Sequence, residues 1–293
     1  MVKVAFYPGC VAKGSCPELY TSSIKVCEKL GIELAELEDV GCTGAGVLSS
    51  EISDPINART LAKAEQMGVP LMTICSTCTG VIALANVRLQ DPEYRDKINR
   101  EFLAEDGLEY KGTTEVKHLL WVLVEDVGLD VLTAASTQPL EGVKISPFYG
   151  CYLRRPDEAI KDGNRKSYIE KVTQAIGGTN VDISGKGKCC GFPSLTINEE
   201  NALAMTAKHT SEARDKGADA MVVPCPLCHL ELDGQQSRAE AQEKQDIDMP
   251  ILHLSQLVGM ALGFTPSEME VQRHFVSTKN VEEKVKSLAV TAS

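Results

Sequence analysis

The sequence predicts an α/β protein made of two related domains, each with a small, mostly parallel sheet flanked by helices. Three segments of the first half recur in order in the second half: KVAFYPGC as KISPFYGC, EDVGCTGAG as GKGKCCGFP, and LMTICSTC as MVVPCPLC. Each half also alternates apolar runs of strand length with stretches at helical spacing, which is typical of parallel α/β sheets. A chain of 293 residues is long enough for two such domains.

The first elements of the first copy follow from local patterns. We expect strands over residues 2–7 and 32–37, with a helix over 18–30 between them. The stretch SDP at 53–55 combines cap residues with a proline suited to a first helical turn. A helix is therefore predicted to begin there and to run to Met67.

The last strand of this pattern ends at a Cys-x-x-Cys motif in each copy. VPLMTIC predicts a buried strand that ends at Cys75, with a helix from about Thr79, and AMVVPC repeats the strand after a helix over 198–216. The carboxyl ends of parallel strands form the ligand-binding edge of an open α/β sheet. We therefore expect each copy to gather its cysteines at one such edge.

The boundary between the copies is placed in TAASTQPLEG, which is rich in turn-forming residues. This gives a first domain over residues 1–138, a second over 139–265 and a tail over 266–293. The tail mixes charges at helical spacing, which is typical of a surface helix.

Composition narrows the class of function. The net charge of −11 argues against binding to nucleic acid or to an anionic membrane surface. The amino terminus MVKVAFYPGC lacks the pattern of a secretory signal, and no apolar run is long enough to span a bilayer. We expect a cytoplasmic protein, in which eleven cysteines indicate metal or redox chemistry rather than disulfides.

The two copies differ in their number of cysteines. The second has five at the repeated positions, whereas the first has four because Thr43 stands where the second copy has Cys190. A structural zinc and a cubane [4Fe–4S] cluster each take four protein ligands, so five thiols mean a spare cysteine or a cluster that is not a plain cubane. The two halves are expected to hold chemically different centres.

The loop GKGKCCG suggests how two adjacent cysteines could face one centre. Gly185, Gly187 and Gly191 would let backbone N–H groups approach the sulfurs, and Lys186 and Lys188 would favour thiolate over thiol. Either Cys-x-x-Cys motif alone would fit a redox dithiol, a zinc site or an iron–sulfur site equally well.

These motifs resemble the CCG domains of the B subunit of heterodisulfide reductase. The resemblance runs over nearly the whole chain, to about residue 265, and includes ILHLSQLVGMALG. It implies two iron–sulfur clusters. A noncubane [4Fe–4S] cluster would be held by Cys151, Cys189, Cys190, Cys225 and Cys228, with Cys189 and Cys190 catalytic together with the cluster they hold. A second cluster, [4Fe–4S] or less readily a zinc ion, would be held by Cys10, Cys42, Cys75 and Cys78.

The departure at Thr43 is similar to the B-type subunits of the heterodisulfide-reductase-like complex of sulfur-oxidising prokaryotes. This resemblance implies oxidation of carrier-bound sulfane sulfur within a larger complex. Its partners there would be a ferredoxin-like subunit, a flavin-containing subunit, and in some reactions a sulfur-carrier protein. The alternatives are CoB–CoM-type heterodisulfide reduction and a non-catalytic electron relay in a complex that oxidises lactate, glycolate or succinate.

Six further positions are candidates with an ordinary structural alternative. Cys16 is either a loop cysteine or the missing fifth ligand, and Cys27 lies on a predicted core face. His229 could act on the centre through Cys228 or simply begin a helix, and His253 is expected to be a hydrogen-bonded core residue. The two arginines at 154 and 155 could bind an anionic substrate or face solvent.

Overall fold

The computed structural model describes residues 2–154, 156–160 and 162–291, with side chains up to residue 287. Within these residues it contains two four-stranded, all-parallel sheets, in the orders β2-β1-β3-β4 and β6-β5-β7-β8. The strands are β1 (Val2–Tyr7), β2 (Ile32–Glu36), β3 (Leu71–Thr73), β4 (Val116–His118), β5 (Lys144–Pro147), β6 (Thr179–Asn180), β7 (Ala220–Val223) and β8 (Ile251–His253).

Helices flank both sheets. The α-helices are α1 (Cys10–Gly14), α2 (Pro17–Lys29), α3 (Ser50–Met67), α4 (Ser76–Arg88), α5 (Pro92–Ile98), α6 (Leu119–Trp121), α7 (Leu129–Ala135), α8 (Tyr168–Ala175), α9 (Glu199–Asp215), α10 (Pro226–Gly234), α11 (Gln236–Glu243), α12 (Leu254–Ala261) and α13 (Lys279–Thr291). Short π-helical segments cover Asn99–Leu103 and Val122–Val127, and 3₁₀ turns cover Ala104–Asp106, Gly163–Ser167, Phe192–Ser194 and Val271–Arg273. Among the helices of the described ranges, none has the length and apolar character needed to cross a bilayer.

Both sheets have the same topology, which confirms the predicted fold class. In the first sheet β1 is central and pairs with β2 on one side and β3 on the other; in the second sheet β5 pairs in the same way with β6 and β7. In each sheet, the next two strands lie on opposite sides of the central strand. The strand order therefore reverses there, and such a reversal creates a crevice beyond the carboxyl ends of the strands. The cysteines follow these strands.

One predicted helix start is wrong. Helix α3 begins at Ser50, and Pro55 lies inside it rather than in its first turn. Asp54 is not a cap: it is fully buried and accepts from Arg88 Nη2 at 2.5 Å and Nε at 2.7 Å. Pro55 removes only the hydrogen bond to the carbonyl of Glu51, an exposed residue, so water can replace it. The predicted end of the helix at Met67 is confirmed.

A second correction concerns the helix after Cys75. Helix α4 begins at Ser76, three residues earlier than predicted, because Cys75 is its N-cap and its Sγ accepts from the backbone N–H of Cys78 at 3.4 Å. The corresponding Cys225 is the N-cap of α10. Both motifs therefore lie on a first helical turn, where N–H groups point at the sulfurs.

The two copies pack into one body. Both hydrophobic core clusters contain residues from both copies: Phe6 and Tyr149 lie in one, Tyr7 and Phe148 in the other. The predicted domain boundaries stay a prediction. The tail forms α13, which is amphipathic rather than wholly on the surface, since Val281 is buried in the core.

Tyr152 joins the copies near their cysteines. It follows Cys151 in the second copy, and its side chain lies against Gly46 and Gly80 of the first copy. A Cβ at Gly80 would be 2.5 Å from Cδ1 of Tyr152 and 3.0 Å from its carbonyl oxygen. The close approach therefore requires glycine at position 80.

Gly80→Ala tests this packing. Although alanine is the better helix former, we expect it to lower the free energy of unfolding by about 1–3 kcal/mol, because the added methyl group overpacks a rigid contact. The measurement is urea unfolding. Gly234→Ala is the matched control, since a Cβ there would meet Phe275 at an ordinary 3.6 Å. Equal stability of the Gly80 variant and the wild type would contradict the contact.

Candidate functional site

The five repeated cysteines of the second copy come together at the edge of its sheet. Hydrogen bonds link the side chains in a chain of contacts from Cys151 to Cys189, Cys190, Cys228 and Cys225. The backbone contributes a close approach at Gly150, where a Cβ would lie 3.0 Å from Cys228 Sγ. The five predicted residues therefore form one sulfur cluster in space.

The four repeated cysteines of the first copy line a single cavity of about 210 Å³. Cys10 Sγ lies 3.5 Å from Cys42 Sγ, and the backbone N–H of Cys78 donates to Cys75 Sγ. Thr43 is buried at the place of the absent fifth cysteine, and its hydroxyl donates to Cys78 Sγ at 3.7 Å. A hydroxyl donor thus replaces a sulfur ligand.

The two sulfur clusters touch each other. Cys75 Sγ of the first copy lies 3.7 Å from Cys225 Sγ of the second, and both side chains are buried. The walls of the first cavity also come from both copies, since Phe192, Pro226 and Leu227 line it together with the first-copy cysteines. The crevice between the copies is therefore shared and mostly apolar.

The electrostatics of the sulfur groups follow from their close contacts. Burial opposes the ionisation of Cys225, but hydrogen bonds from Cys228, Cys75 and Thr77 outweigh it and hold the pKa of this thiol well below its ordinary value. A hydrogen bond to Cys225 raises the pKa of Cys75. Burial raises the pKa of Cys10 to about 11. In the metal-free site, these hydrogen bonds favour ionisation of Cys225 over that of Cys75 and Cys228.

One basic residue of GKGKCCG acts differently from the prediction. Lys186 does not support a thiolate, because its Nζ pairs with Glu170 at 3.0 Å and Asp182 at 2.5 Å. Gly191 has φ +113° and lets the loop pack on the helices behind it, since a Cβ there would lie 2.9 Å from the carbonyl oxygen of Ala202. Lys186 and Gly191 therefore contribute to the conformation and packing of the loop.

Two buried polar groups beside the sulfur clusters are absent from the sequence predictions. His118 ends β4, and the segments VKHLL and ILHLS form a fourth repeated pair that could have revealed it. Glu231 is fully buried behind Gly191, accepts from the Thr206 hydroxyl at 3.2 Å, and has its pKa raised to about 7 by burial. In the sequence, the position of Glu231 could have been noticed because it is an acidic residue among the apolar residues of α10.

The remaining candidates have mostly structural surroundings. Cys27 lies in the core as predicted, and Cys16 is buried beside Glu18 and Asp233 rather than beside another cysteine. His253 is a hydrogen-bonded core residue, as predicted.

Two candidates lie close to the second cysteine cluster. His229 is buried and packs edge-on against His274, with ring centroids 4.6 Å apart. Arg154 lies over the ring of Tyr149 at 5.3 Å, and position 155 is outside the described residues.

The donor set fits an iron–sulfur cluster better than a hard cation. All the grouped ligands are thiols, which suit soft metals, and glycines at positions 9 and 150 bring the backbone up to the sulfurs. In the described part of the chain, no three Cys, His, Asp or Glu side chains are grouped so as to hold one metal ion.

Comparison with known proteins agrees with the repeat. The CCG cysteine-rich domain family matches residues 4–83 and 145–233. The chain belongs to this family. This CCG protein is 31% identical to the B subunit of the ferredoxin/F420H2-dependent CoB–CoM heterodisulfide reductase of Methanosarcina acetivorans, over 100% of its own length and 99% of the relative.

Two other similarities extend the comparison. The CCG protein is 37% identical to the 8-methylmenaquinol:fumarate reductase membrane anchor subunit of Wolinella succinogenes, over 93% of its own length and 96% of the relative. It also resembles the crystal structure of a hypothetical protein from Helicobacter pylori, with a TM-score of 0.75 and 18% identity over 94% of this chain and 52% of that one. The latter similarity supports the fold alone.

The buried histidines predict how stability depends on pH. Burial lowers the pKa of His118 to about 3 and that of His253 to about 4, whereas the unfolded chain binds these protons near pH 6.5. Because the unfolded state binds more protons, stability decreases as the pH falls below about 6.5. We expect urea unfolding of the metal-free protein to be easier at pH 5.5 than at pH 7.5.

His118→Gln should make this pH dependence shallower, by up to about 1.4 kcal/mol per pH unit, because one titrating group is lost. Glutamine retains an N–H donor in place of the imidazole Nε2–H. The prediction fails if the variant and the wild type lose stability with the same slope.

Proposed function

We propose that this protein is the iron–sulfur subunit of a heterodisulfide-reductase-like complex and performs sulfur redox chemistry at the five-cysteine centre of its second copy. The main support for this proposal is that five thiols meet in the second copy, whereas the hydroxyl of Thr43 takes the fifth position in the first copy. When bound, a noncubane [4Fe–4S] cluster supplies one-electron chemistry and an iron to which a substrate sulfur can bind.

The residues of the chain itself prepare the site for a sulfur substrate. Phe192 and Leu227 line the cavities of both copies and give the shared crevice an apolar wall. The second copy has a smaller cavity of its own, which is lined by Cys151, Cys189, Cys190 and Tyr152. An apolar crevice favours a thiol, persulfide or disulfide over an ionic substrate.

The substrate that we propose is a sulfane sulfur bound to a carrier protein, which the site oxidises. Electrons would leave through the first-copy centre, whose Cys10 and Cys42 are exposed, to the ferredoxin-like and flavin-containing subunits of the complex. We place this complex in the cytoplasm, where cysteines stay reduced. CoB–CoM-type reduction remains the alternative reaction at the same centre, supported by the relative from Methanosarcina acetivorans.

Anaerobic iron and sulfide analysis with paramagnetic resonance tests this proposal. We expect Cys190→Ser to change the signal of the second centre and to reduce turnover with carrier-bound persulfide at least tenfold, because a ligand and the fifth sulfur are lost. Cys16→Ser is the matched control and should leave the iron content unchanged. An unchanged spectrum and unchanged turnover in Cys190→Ser would refute the mechanism.

A second candidate is a non-catalytic electron relay, which is compatible with the 37% identical relative named as the membrane anchor subunit of a fumarate reductase. The contact between Cys75 and Cys225 would serve a relay equally well. The two candidates differ in their response to substrate. A sulfur-redox centre changes its resonance spectrum when a persulfide or disulfide is added, whereas a relay centre responds only to electron donors and acceptors.

A further inference from the structure

Histidines of each copy hold the backbone in front of the other copy's Cys-x-x-Cys motif. His118 Nε2 lies 2.8 Å from the carbonyl oxygen of Pro224, which precedes Cys225. His253 Nε2 lies 3.1 Å from the carbonyl oxygen of Ile74. Both imidazoles are fully buried. The arrangement is reciprocal, so each motif is fixed from across the interface.

The tautomer of each histidine follows from its second nitrogen. The backbone N–H of Leu120 donates to Nδ1 of His118 at 3.0 Å. Nδ1 of His253 lies 2.8 Å from the Ser255 hydroxyl and 3.4 Å from the Ser255 backbone N–H. The carbonyl oxygen that faces each Nε2 can only accept a hydrogen bond. A neutral imidazole that accepts at Nδ1 carries its proton on Nε2. Both histidines therefore donate to the carbonyl opposite.

The other hydrogen bonds between the two Cys-x-x-Cys motifs are not reciprocal. Thr77 of the first copy lies with its hydroxyl 3.5 Å from Cys225 Sγ. Ser76 adds its backbone N–H and its hydroxyl to the Pro224 carbonyl at 3.2 and 3.1 Å. The corresponding residues of the second copy, at 226–227, are proline and leucine, whose side chains have no donors. The first copy therefore gives hydrogen bonds that it does not receive.

The additional hydrogen-bond donors face the centre with the larger number of cysteines, and therefore the one with the greater negative charge. Five thiolates carry one more negative charge than four, and hydrogen-bond donors stabilise anionic sulfur. Donors to ligand sulfurs also raise the reduction potential of an iron–sulfur cluster, because they favour its more negative, reduced form. A polar Ser-Thr pair thus faces the centre that has the greater charge.

We propose that the first copy is a working part of the second centre: Thr77 and His118 are positioning residues that orient Cys225 and set the reduction potential of the five-cysteine centre. This rests on the proposed function only in that those five cysteines hold a redox-active iron–sulfur cluster. It assigns to the four-cysteine copy a role that does not depend on what its own centre holds.

Redox titration of the anaerobic protein, followed by paramagnetic resonance, tests the role of Thr77. Thr77→Val should lower the midpoint potential of the second centre by more than it changes that of the first, whose cavity Thr77 also lines, and Thr77→Ser should restore the wild-type value. Thr60→Val is the matched control, a buried threonine of the same copy whose hydroxyl donates to the Ile56 carbonyl. An unmoved second centre in Thr77→Val, or a shift equal to that of Thr60→Val, would overturn the proposal.

A second measurement needs no cluster. In the metal-free Cys78→Ser/Cys228→Ser protein, diamide should take two electrons and two protons from the thiols of Cys75 and Cys225, becoming the hydrazine as the disulfide forms. A linked tryptic peptide is expected by mass spectrometry, and its yield should fall several-fold when His118→Leu is added. A folded protein without this cross-link would overturn the proposal.

The two proposals fail in different ways. A lowered potential in Thr77→Val, in a protein whose spectrum ignores persulfide and disulfide, supports the role of Thr77 and contradicts the sulfur chemistry. A substrate response with no effect of Thr77→Val supports the sulfur chemistry and contradicts the role of Thr77.

Discussion

The buried contact between the two Cys-x-x-Cys turns is the constraint on which the rest of the molecule depends. Strands β3 and β7 deliver Cys75 and Cys225 to the same place, where their sulfurs lie 3.7 Å apart. The residues before both turns are buried, and their carbonyls accept hydrogen bonds from histidines of the opposite copy. Each copy therefore supplies a hydrogen bond that holds the other copy's Cys-x-x-Cys turn in place.

The two copies differ in how many sulfur groups they contain and in which copy supplies hydrogen-bond donors to the other. Thr43 keeps the volume and hydrogen bonding of the first site while removing a sulfur ligand, since its hydroxyl still reaches Cys78. The second copy retains both adjacent cysteines, and the opposite turn supplies it with hydroxyl donors. The molecule thus combines a four-sulfur site that has an exposed edge with a five-sulfur site that is more deeply enclosed.

Several elements could be predicted because their signals are local. The strand at Val2–Tyr7, the end of α3 and the span of α9 follow from apolar periodicity and helix caps, and the structure confirms them. The start of α3 could not be predicted, because Asp54 looks like a cap in sequence but is buried against Arg88 from another helix. The role of Lys186 could not be predicted either, because Glu170, one of its two acidic partners, lies on α8, 16 positions away in sequence.

The sequence by itself determined the duplication, the parallel α/β class and the count of five cysteines against four, because repeats and ligand number are written in residue types and spacing. Only the tertiary structure decided that the two sulfur clusters touch, and that His118 and Thr77 of one copy serve the other. Such contacts join residues 106 to 150 positions apart. They depend on how two sheets are oriented, which no local pattern encodes.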